Sequence, residues 1–327
     1  MQVHQDIVHL PSFKNAVLTI GTFDGVHLGH RQILLQLKAE AERIKGETVI
    51  ITFHPHPRKV ISSAQPPISL INTIEEKIEL LEALKIDHLV VVPFDQRFSQ
   101  MSAQEYIEEF LLEKFQPHTI IIGYDHHFGK GRSGNYLLLE EYSKKSGFRL
   151  IEISSHTIAE NAVSSTRIRQ SLTEGDIDAA NNLLGYDYFF EGKVIEGNRL
   201  GRTLGYPTAN LEISDKEKLI PAYGIYVVEA ELERRVLSKK AEIRRLKGMM
   251  SIGIRPTLSD GKFMIEINLF DFNEDIYGRT LRVYVKKYLR PEMKFDGLEA
   301  LKEQLAKDKK DTLAYFHTRI DANRGAN

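Results

Sequence analysis

No cysteine occurs anywhere in the 327 residues. That excludes disulfides, thiolate nucleophiles and any zinc site that needs sulfur, so a metal must be held by imidazoles, carboxylates, amides, hydroxyls or substrate phosphates. Tryptophan is missing too. No apolar run approaches the roughly 20 residues of a membrane span, and the opening Met1-Gln2-Val3-His4-Gln5-Asp6 lacks the basic-then-apolar order of a secretory signal. The expectation is a cytoplasmic protein without membrane attachment. Nor is charge of one sign in excess: 44 Lys and Arg face 45 Asp and Glu, a formal net charge of -1, which argues against a general nucleic-acid binder. What is present is a globular composition, 42% hydrophobic and 27% charged, with length enough for two cores.

The balanced total hides an asymmetry. Residues 1–185 hold 18 Lys and Arg against 23 Asp and Glu, and the remainder holds 26 against 22, so the two parts carry -5 and +4. Of 12 histidines, 11 lie in the first part and His317 alone in the second. Two chemically different domains, 1–185 and 186–327, are therefore expected.

The first part alternates short β-rich runs with helical patterns. The runs Ala16–Ile20, Thr48–Phe53, His88–Val92, Thr119–Ile122 and Phe148–Ile153 are separated by Gln32–Lys45, Ile74–Leu84, Ala103–Phe115 and Tyr136–Ser146. Nearly continuous apolar strands at this spacing predict an α/β doubly wound domain around a buried parallel sheet. Ligands bind such sheets beyond the carboxyl ends of the strands, and the polar clusters Gly21–His30, His54–Lys59 and Gly123–Ser133 fall there. Two short helices, Thr166–Leu172 and Ile177–Leu184, lead to Gly185. Beyond it, closely spaced short strands at Phe189–Ile195, Gly197–Leu204, Tyr223–Glu233, Gly248–Ile254, Phe263–Phe270 and Leu281–Tyr288 predict a small antiparallel barrel or sandwich, closed by a helix over Leu298–Arg319. Glu233–Lys247, with seven basic and two acidic residues, reads as a solvated excursion or as an anion or partner site.

The sharpest local signal is Gly21-Thr22-Phe23-Asp24-Gly25-Val26-His27-Leu28-Gly29-His30, between a strand and a helix. Two imidazoles three residues apart share one face of a helix N-terminus, and Gly29 lets a phosphate approach the backbone amides. That suits electrostatic stabilisation of a nucleotide α-phosphate under attack. A metal pair and an incidental polar loop are the competing readings. In Val163-Ser164-Ser165-Thr166-Arg167-Ile168-Arg169 the hydroxyls offer helix caps, but two Arg in a first helical turn oppose the dipole unless an anion sits there. Gly129-Lys130-Gly131-Arg132-Ser133-Gly134 matches a dinucleotide fingerprint in spacing, yet it follows the fourth strand and not the first. His54, His56 and Arg58 leave the second strand toward the same face, as a structural loop or as phosphate contacts.

In the second part, Thr208 and Asn210 follow the rigid Pro207 and can turn a hydroxyl and an amide oxygen toward one Mg²⁺; a hairpin with turn residues is the alternative. Within Phe263–Leu269, Glu266 faces the same way as Met264 and Asn268. A partly buried carboxylate there can act as a general base, while an isolated strand Glu is ordinarily a surface residue.

These residues carry a family resemblance. GTFDGVHLGH and VSSTRIR in the first part, with GRTLGYPTANL, PAYGIYVV, SIGIRPT and DIYGRTLRV in the second, resemble the bacterial bifunctional riboflavin kinase/FMN adenylyltransferases (FAD synthetases) over nearly the whole chain. The resemblance implies an N-terminal nucleotidylyltransferase domain that moves AMP from ATP to FMN, giving FAD and pyrophosphate, and a C-terminal barrel that phosphorylates riboflavin to FMN with release of ADP. It implies His27, His30 and Glu266 as catalytic residues. Gly21, Phe23, Asp24, Gly29, Asp125, Ser164, Ser165, Thr166 and Arg167 are implied as nucleotide or flavin contacts. In the barrel it implies Gly201, Thr208 and Asn210, the last two also holding Mg²⁺, with no tightly bound prosthetic group. Thr22, His54 and Asp125-His126-His127-Phe128 depart from the common pattern. The alternatives are a kinase with a weakened transferase and a flavin- or nucleotide-binding regulator; a homo-oligomer is left open.

Overall fold

A computed structural model describes the chain except residues 62–67, 154–162, 198–199, 233–243, 256–261 and 325–327. By internal contacts it divides into Met1–Ser165 and Thr166–Asn327.

In the first unit six parallel strands lie in the order β1-β4-β3-β2-β5-β6: β1 (Gln2–His4), β2 (Val17–Ile20), β3 (Thr48–His54), β4 (His88–Pro93), β5 (Thr119–Gly123) and β6 (Arg149–Ile153). The five expected strands are all present. The continuous apolar runs reflect burial on both faces. Leu18, Ile20, Val49, Ile51, Ile120 and Ile122 join a core with Tyr106, Phe110 and Phe115, whereas Val17, Ile50, Leu89 and Ile121 face helices α1 (Leu28–Ile44) and α3 (Ile74–Ala83). A short helix α2 (Pro57–Ile61) follows β3. The order reverses between β2 and β5, and the loops leaving those two strands flank that switch point.

Glu40 locks α1 to this sheet. Its buried carboxylate takes two bonds from Arg43, each 2.8 Å, one from Arg149 at 3.1 Å and one from the Thr119 hydroxyl at 3.2 Å. The Arg43 bonds first, then the Arg149 charge and the Thr119 hydroxyl, hold its pKa down to about 2 against the ordinary 4.5. A carboxylate depressed on folding stabilises above its unfolded pKa, and that stability is lost as pH falls toward the folded value. Glu40→Gln is therefore expected to lower unfolding free energy by about 2 kcal/mol at neutral pH, with the deficit shrinking as pH falls from about 4.5 to 2. Urea melts of both proteins across that range check it.

In the second unit β7 (Phe189–Ile195), β8 (Ala209–Glu212), β9 (Gly224–Leu232), β10 (Arg244–Arg255), β11 (Lys262–Leu269) and β12 (Thr280–Arg290) close an antiparallel barrel in the order β10-β11-β8-β7-β12-β9. Between barrel and sandwich the structure selects the barrel. The expected strand Gly197–Leu204 is not one. Leu200–Thr203 makes a helical turn, with Leu204 N and Tyr206 N both donating to the Gly201 carbonyl, at 3.2 and 2.8 Å, and the strand comes later as β8. The closing helix runs Leu298–Arg324, tied by a two-pronged Arg290–Asp308 pair at 2.9 and 2.7 Å.

Residues 166–185, which texture assigns to the first domain, pack on the barrel. Ala222 N donates to Leu172 O, Asn181 donates to Val285 O, and Asn181 Oδ1 accepts from Tyr188 N. The basic segment lies mostly outside the described residues, but its last four begin β10. There Arg245 is paired with Glu231 at 2.7 Å and is not a free cation.

Candidate functional site

The loop between β2 and α1 is an unusual piece of backbone. Phe23, Gly25 and Val26 have φ of 47°, 92° and 37°, and a β-branched residue at positive φ is a strained position. Burial holds it: Phe23 is 2% exposed and Val26 fully buried. Asp24 adds a tether, its Oδ1 accepting from Ile71 N at 3.0 Å and Asn72 N at 3.2 Å. Thr22 O takes Lys77 Nζ at 2.7 Å and the Thr52 hydroxyl at 3.1 Å.

His27 caps α1, its Nδ1 accepting the His30 amide at 3.3 Å. Acceptance at Nδ1 leaves the ring proton on Nε2. The two imidazoles stack, with centroids 3.6 Å apart and planes 13° apart, and Phe23 packs on His30 at 5.0 Å. Burial, the neighbouring His27 and the charge of Lys77 push the His30 pKa well below 6.5, so His30 is a neutral group at pH 7. Its Nδ1 is buried and has no hydrogen-bond partner among the described residues.

The VSSTRIR segment reaches this loop. Ser165 Oγ donates to Asp24 O at 2.9 Å, and Gly29 faces the Val163 carbonyl, so that a methyl on it would stand 3.5 Å from that oxygen. Ser164 is exposed beside Ser165; Thr166 and Arg167 are exposed in the first turn of the helix Ser165–Glu174, which carries no acid there. Gly21 continues the sheet, its N–H donating to Ile51 O at 3.0 Å. Asp125 lies exposed in the turn after β5 and makes no hydrogen bond to either histidine among the described residues.

Two glycines of the dinucleotide-like stretch have a packing explanation, Gly129 against Ala103 and Gly134 against Phe128. Phe128 bridges Gly134, and a Cβ at Gly134 would stand 2.3 Å from the Phe128 ring. His126, next to that ring, has its pKa pushed down to about 4, burial being the largest cause.

Sequence reasoning missed Lys77. A cleft beyond β3 is lined among others by Phe53, His54, Asn72, Ile74 and Lys77, and Lys77 is only 7% exposed. A lysine in a helix's first turns reads as solvated; its place four residues before the fully buried Leu81 was the available signal.

In the barrel, Glu266 of β11 stands directly across from Asn210 of β8 and Ser251 of β10. The opposite face of β11, with Ile265 and Ile267, is buried. Paired residues on neighbouring strands share a face with Cβ atoms about 5 Å apart, so the Glu266 carboxylate and the Asn210 amide project side by side. Asn210 is 6% exposed and its Oδ1 accepts no hydrogen bond among the described residues. Gly197 makes room for it, since a Cβ there would lie 2.0 Å from Asn210 Nδ2. Asn268 pins the preceding turn by donating to Pro207 O at 2.7 Å, and Thr208 flanks Gly201. A buried, unpartnered amide oxygen beside a carboxylate and a hydroxyl is a hard-oxygen donor set that fits Mg²⁺ carried with phosphates.

Comparison with known proteins agrees with this division. The FAD synthetase family model matches residues 10–167 and the riboflavin kinase model residues 184–316. The bifunctional riboflavin kinase/FMN adenylyltransferase of Listeria monocytogenes is 36% identical over 303 residues, covering 92% of this chain and 93% of the relative. That of Bacillus subtilis is 36% identical over 306 residues, 92% of each. The crystal structure of a macrolide-efflux protein from Streptococcus pneumoniae superposes with a TM-score of 0.83 at 29% identity, over 95% of this chain and 98% of that one. No helix among the described residues here is long and apolar enough to cross a membrane. Two family models in order and relatives matched end to end place this chain in the family of bifunctional riboflavin kinase/FMN adenylyltransferases.

Proposed function

We propose that the two reactions of this flavin-cofactor enzyme are divided between the two parts of the chain: FMN adenylylation in residues 1–185 and riboflavin phosphorylation in 186–327. Substrates are riboflavin, FMN and ATP; products are FMN with ADP, and FAD with pyrophosphate. The reading as a soluble cytoplasmic enzyme goes with this chemistry.

In adenylyl transfer, a phosphate oxygen of FMN attacks the α-phosphorus of ATP. The bond to the bridging oxygen breaks and pyrophosphate leaves, with no covalent enzyme intermediate. His27, its proton fixed on Nε2 by the cap bond, and neutral His30 donate hydrogen bonds to the α-phosphate as its charge develops. Gly21, Phe23, Asp24 and Gly29 shape the cradle, Asp125 borders it, and Ser164, Ser165, Thr166 and Arg167 hold phosphates from the other side.

In the barrel, Glu266 accepts the proton of the ribityl 5′-hydroxyl as that oxygen attacks the γ-phosphorus. Gly201 brings backbone close to the phosphates, and Thr208 and Asn210 would hold Mg²⁺, which when bound with ATP supplies charge neutralisation. The unpartnered Asn210 Oδ1 opposite Glu266 is the observation that carries the kinase reading.

Incubating riboflavin, ATP and Mg²⁺ with the protein and separating the flavins over time tests the whole. FMN is expected first, then FAD. Accumulation of FMN without FAD would select the weakened-transferase alternative, and unchanged riboflavin would reject the reading. The regulator alternative rests on the basic segment, of whose described residues Arg245 is paired with Glu231.

A further inference from the structure

We infer that Lys77 is a positioning residue of the adenylyl-transfer site, its ammonium holding the Thr22 carbonyl and thereby the strained Phe23–Val26 turn from which the stacked histidines project. This rests on the reading of His27 and His30 given above.

Two donors converge on one carbonyl. Lys77 Nζ reaches Thr22 O at 2.7 Å, and the fully buried Thr52 hydroxyl reaches it at 3.1 Å, with 3.5 Å between the two donors. The next residue is Phe23 at φ 47°. Such a backbone persists only when its surroundings over-determine it, and here the peptide at the start of the strain is clamped from α3 and β3 together. α3 is itself fixed, because Thr73 and Glu76 form a complete capping box. Phe23 then packs on His30, which stacks on His27. The chain of contacts from Lys77 to the imidazoles is continuous and short.

An ammonium this buried is costly unless compensated. The charged group that favours it is Asp24, whose pull does not offset burial: the Lys77 pKa is lowered to about 8. His54 and His56 line the same cleft, and the neighbouring Glu76 carboxylate caps its own helix. Lys77 is thus charged at neutral pH and faces His30 across the loop. The groups acting on His30 are His27, stacked against it, and Lys77; both disfavour a second proton there. Removing the Lys77 charge makes His30 easier to protonate, so the acid limb of the adenylyl-transfer profile moves up in pH.

The test compares Lys77→Met, Lys77→Arg, Thr52→Val and His30→Ala with wild type, full length, assayed for FMN-to-FAD and riboflavin-to-FMN conversion from pH 4.5 to 9. Lys77→Met is expected to lower kcat for FAD formation by about tenfold or more, with its acid limb raised by about half a unit and riboflavin kinase activity within about twofold of wild type. Lys77→Arg keeps the charge and is expected to recover most of the rate with the limb in its original place. Thr52→Val removes one clamp without a charge and is expected to lose rate, about threefold or more, with the limb unmoved. Full FAD synthesis in Lys77→Met would overturn the proposal. So would a loss without movement of the limb, or failure of Lys77→Arg to improve on Lys77→Met. Should Lys77→Met not fold by circular dichroism, wild-type rates in Thr52→Val together with a displaced limb in Lys77→Arg would overturn it. His30→Ala separates the two levels, because retained FAD synthesis there rejects the site reading whatever Lys77 does.

Discussion

Glu266→Gln is expected to reduce FMN formation from riboflavin by about 100-fold or more while leaving FAD formation from supplied FMN within about twofold. The substitution keeps shape and hydrogen bonding but removes the only atom pair at that position able to take a proton. Glu266 stands opposite Asn210, whose Oδ1 waits without a partner, and the Pro207 carbonyl is fixed by Asn268. The setting is therefore preserved in the variant, and what changes is the fate of the ribityl hydroxyl proton. General-base assistance accounts for about 10² to 10⁴ in rate, and the expected loss lies in that interval. A carboxylate that merely neutralised the barrel surface would instead leave kcat nearly intact. Kinase rates measured in Glu266→Gln with saturating ATP and Mg²⁺ distinguish the two: a drop below about tenfold would remove Glu266 from the proton-accepting role.

Legibility in the sequence followed burial. β2 to β5 were readable because burial on both faces leaves them near-continuous apolar runs, and the edge strand β6, with Arg149 and Glu152 exposed, was readable from Leu150, Ile151 and Ile153. β1 was not readable, since three residues, Gln2–His4, cannot display a period; it is held by parallel pairing to β4, with Gln2 N on Asp87 O at 2.8 Å. The stretch Gly197–Leu204 misled because it lies among short glycine-punctuated strands, although its two apolar residues, Leu200 and Leu204, are spaced four apart as on a helical turn. There, contacts absent from local sequence decide: the Gly201 carbonyl collects two amides and winds the chain into a turn.

The site divides the same way. The histidine pair and the serines of VSSTRIR are local motifs, and the structure joins them through Ser165 and Asp24. Asp24 shows what a motif withholds: its carboxylate holds Ile71 and Asn72, so within the motif it acts as a tether for the cradle. Lys77, Thr52 and Asn72 are brought in by the sheet and α3 from 30 to 55 residues away, and no local pattern announces them. In the barrel, the pairing of Glu266 with Asn210 depends on which strands become neighbours, a register that the sequence states nowhere.

His30→Ala is expected to be the mirror of the barrel variant, lowering FAD formation from FMN by about 10² to 10³ with riboflavin phosphorylation unchanged. His30 is the better probe of the pair. His27 is the helix N-cap, so its removal also weakens α1 by about 1 kcal/mol, whereas His30 lies within the helix, makes no side-chain cap, and can be deleted with less structural consequence. Its protonation gives the sign of the pH dependence. A histidine acting as a cation would lose its contribution as pH rises through about 6.5. His30, pushed well below that value by burial, His27 and Lys77, is already neutral there, so wild-type FAD formation is expected to hold level from pH 6.5 to 7.5, short of the Lys77 pKa of about 8, and to fall on the acid side. In His30→Ala that acid-side fall should flatten along with the rate. Wild-type activity that declined steadily between pH 6 and 7.5 would mean that an imidazolium does the work, and a histidine held neutral by its neighbours would not be the group responsible.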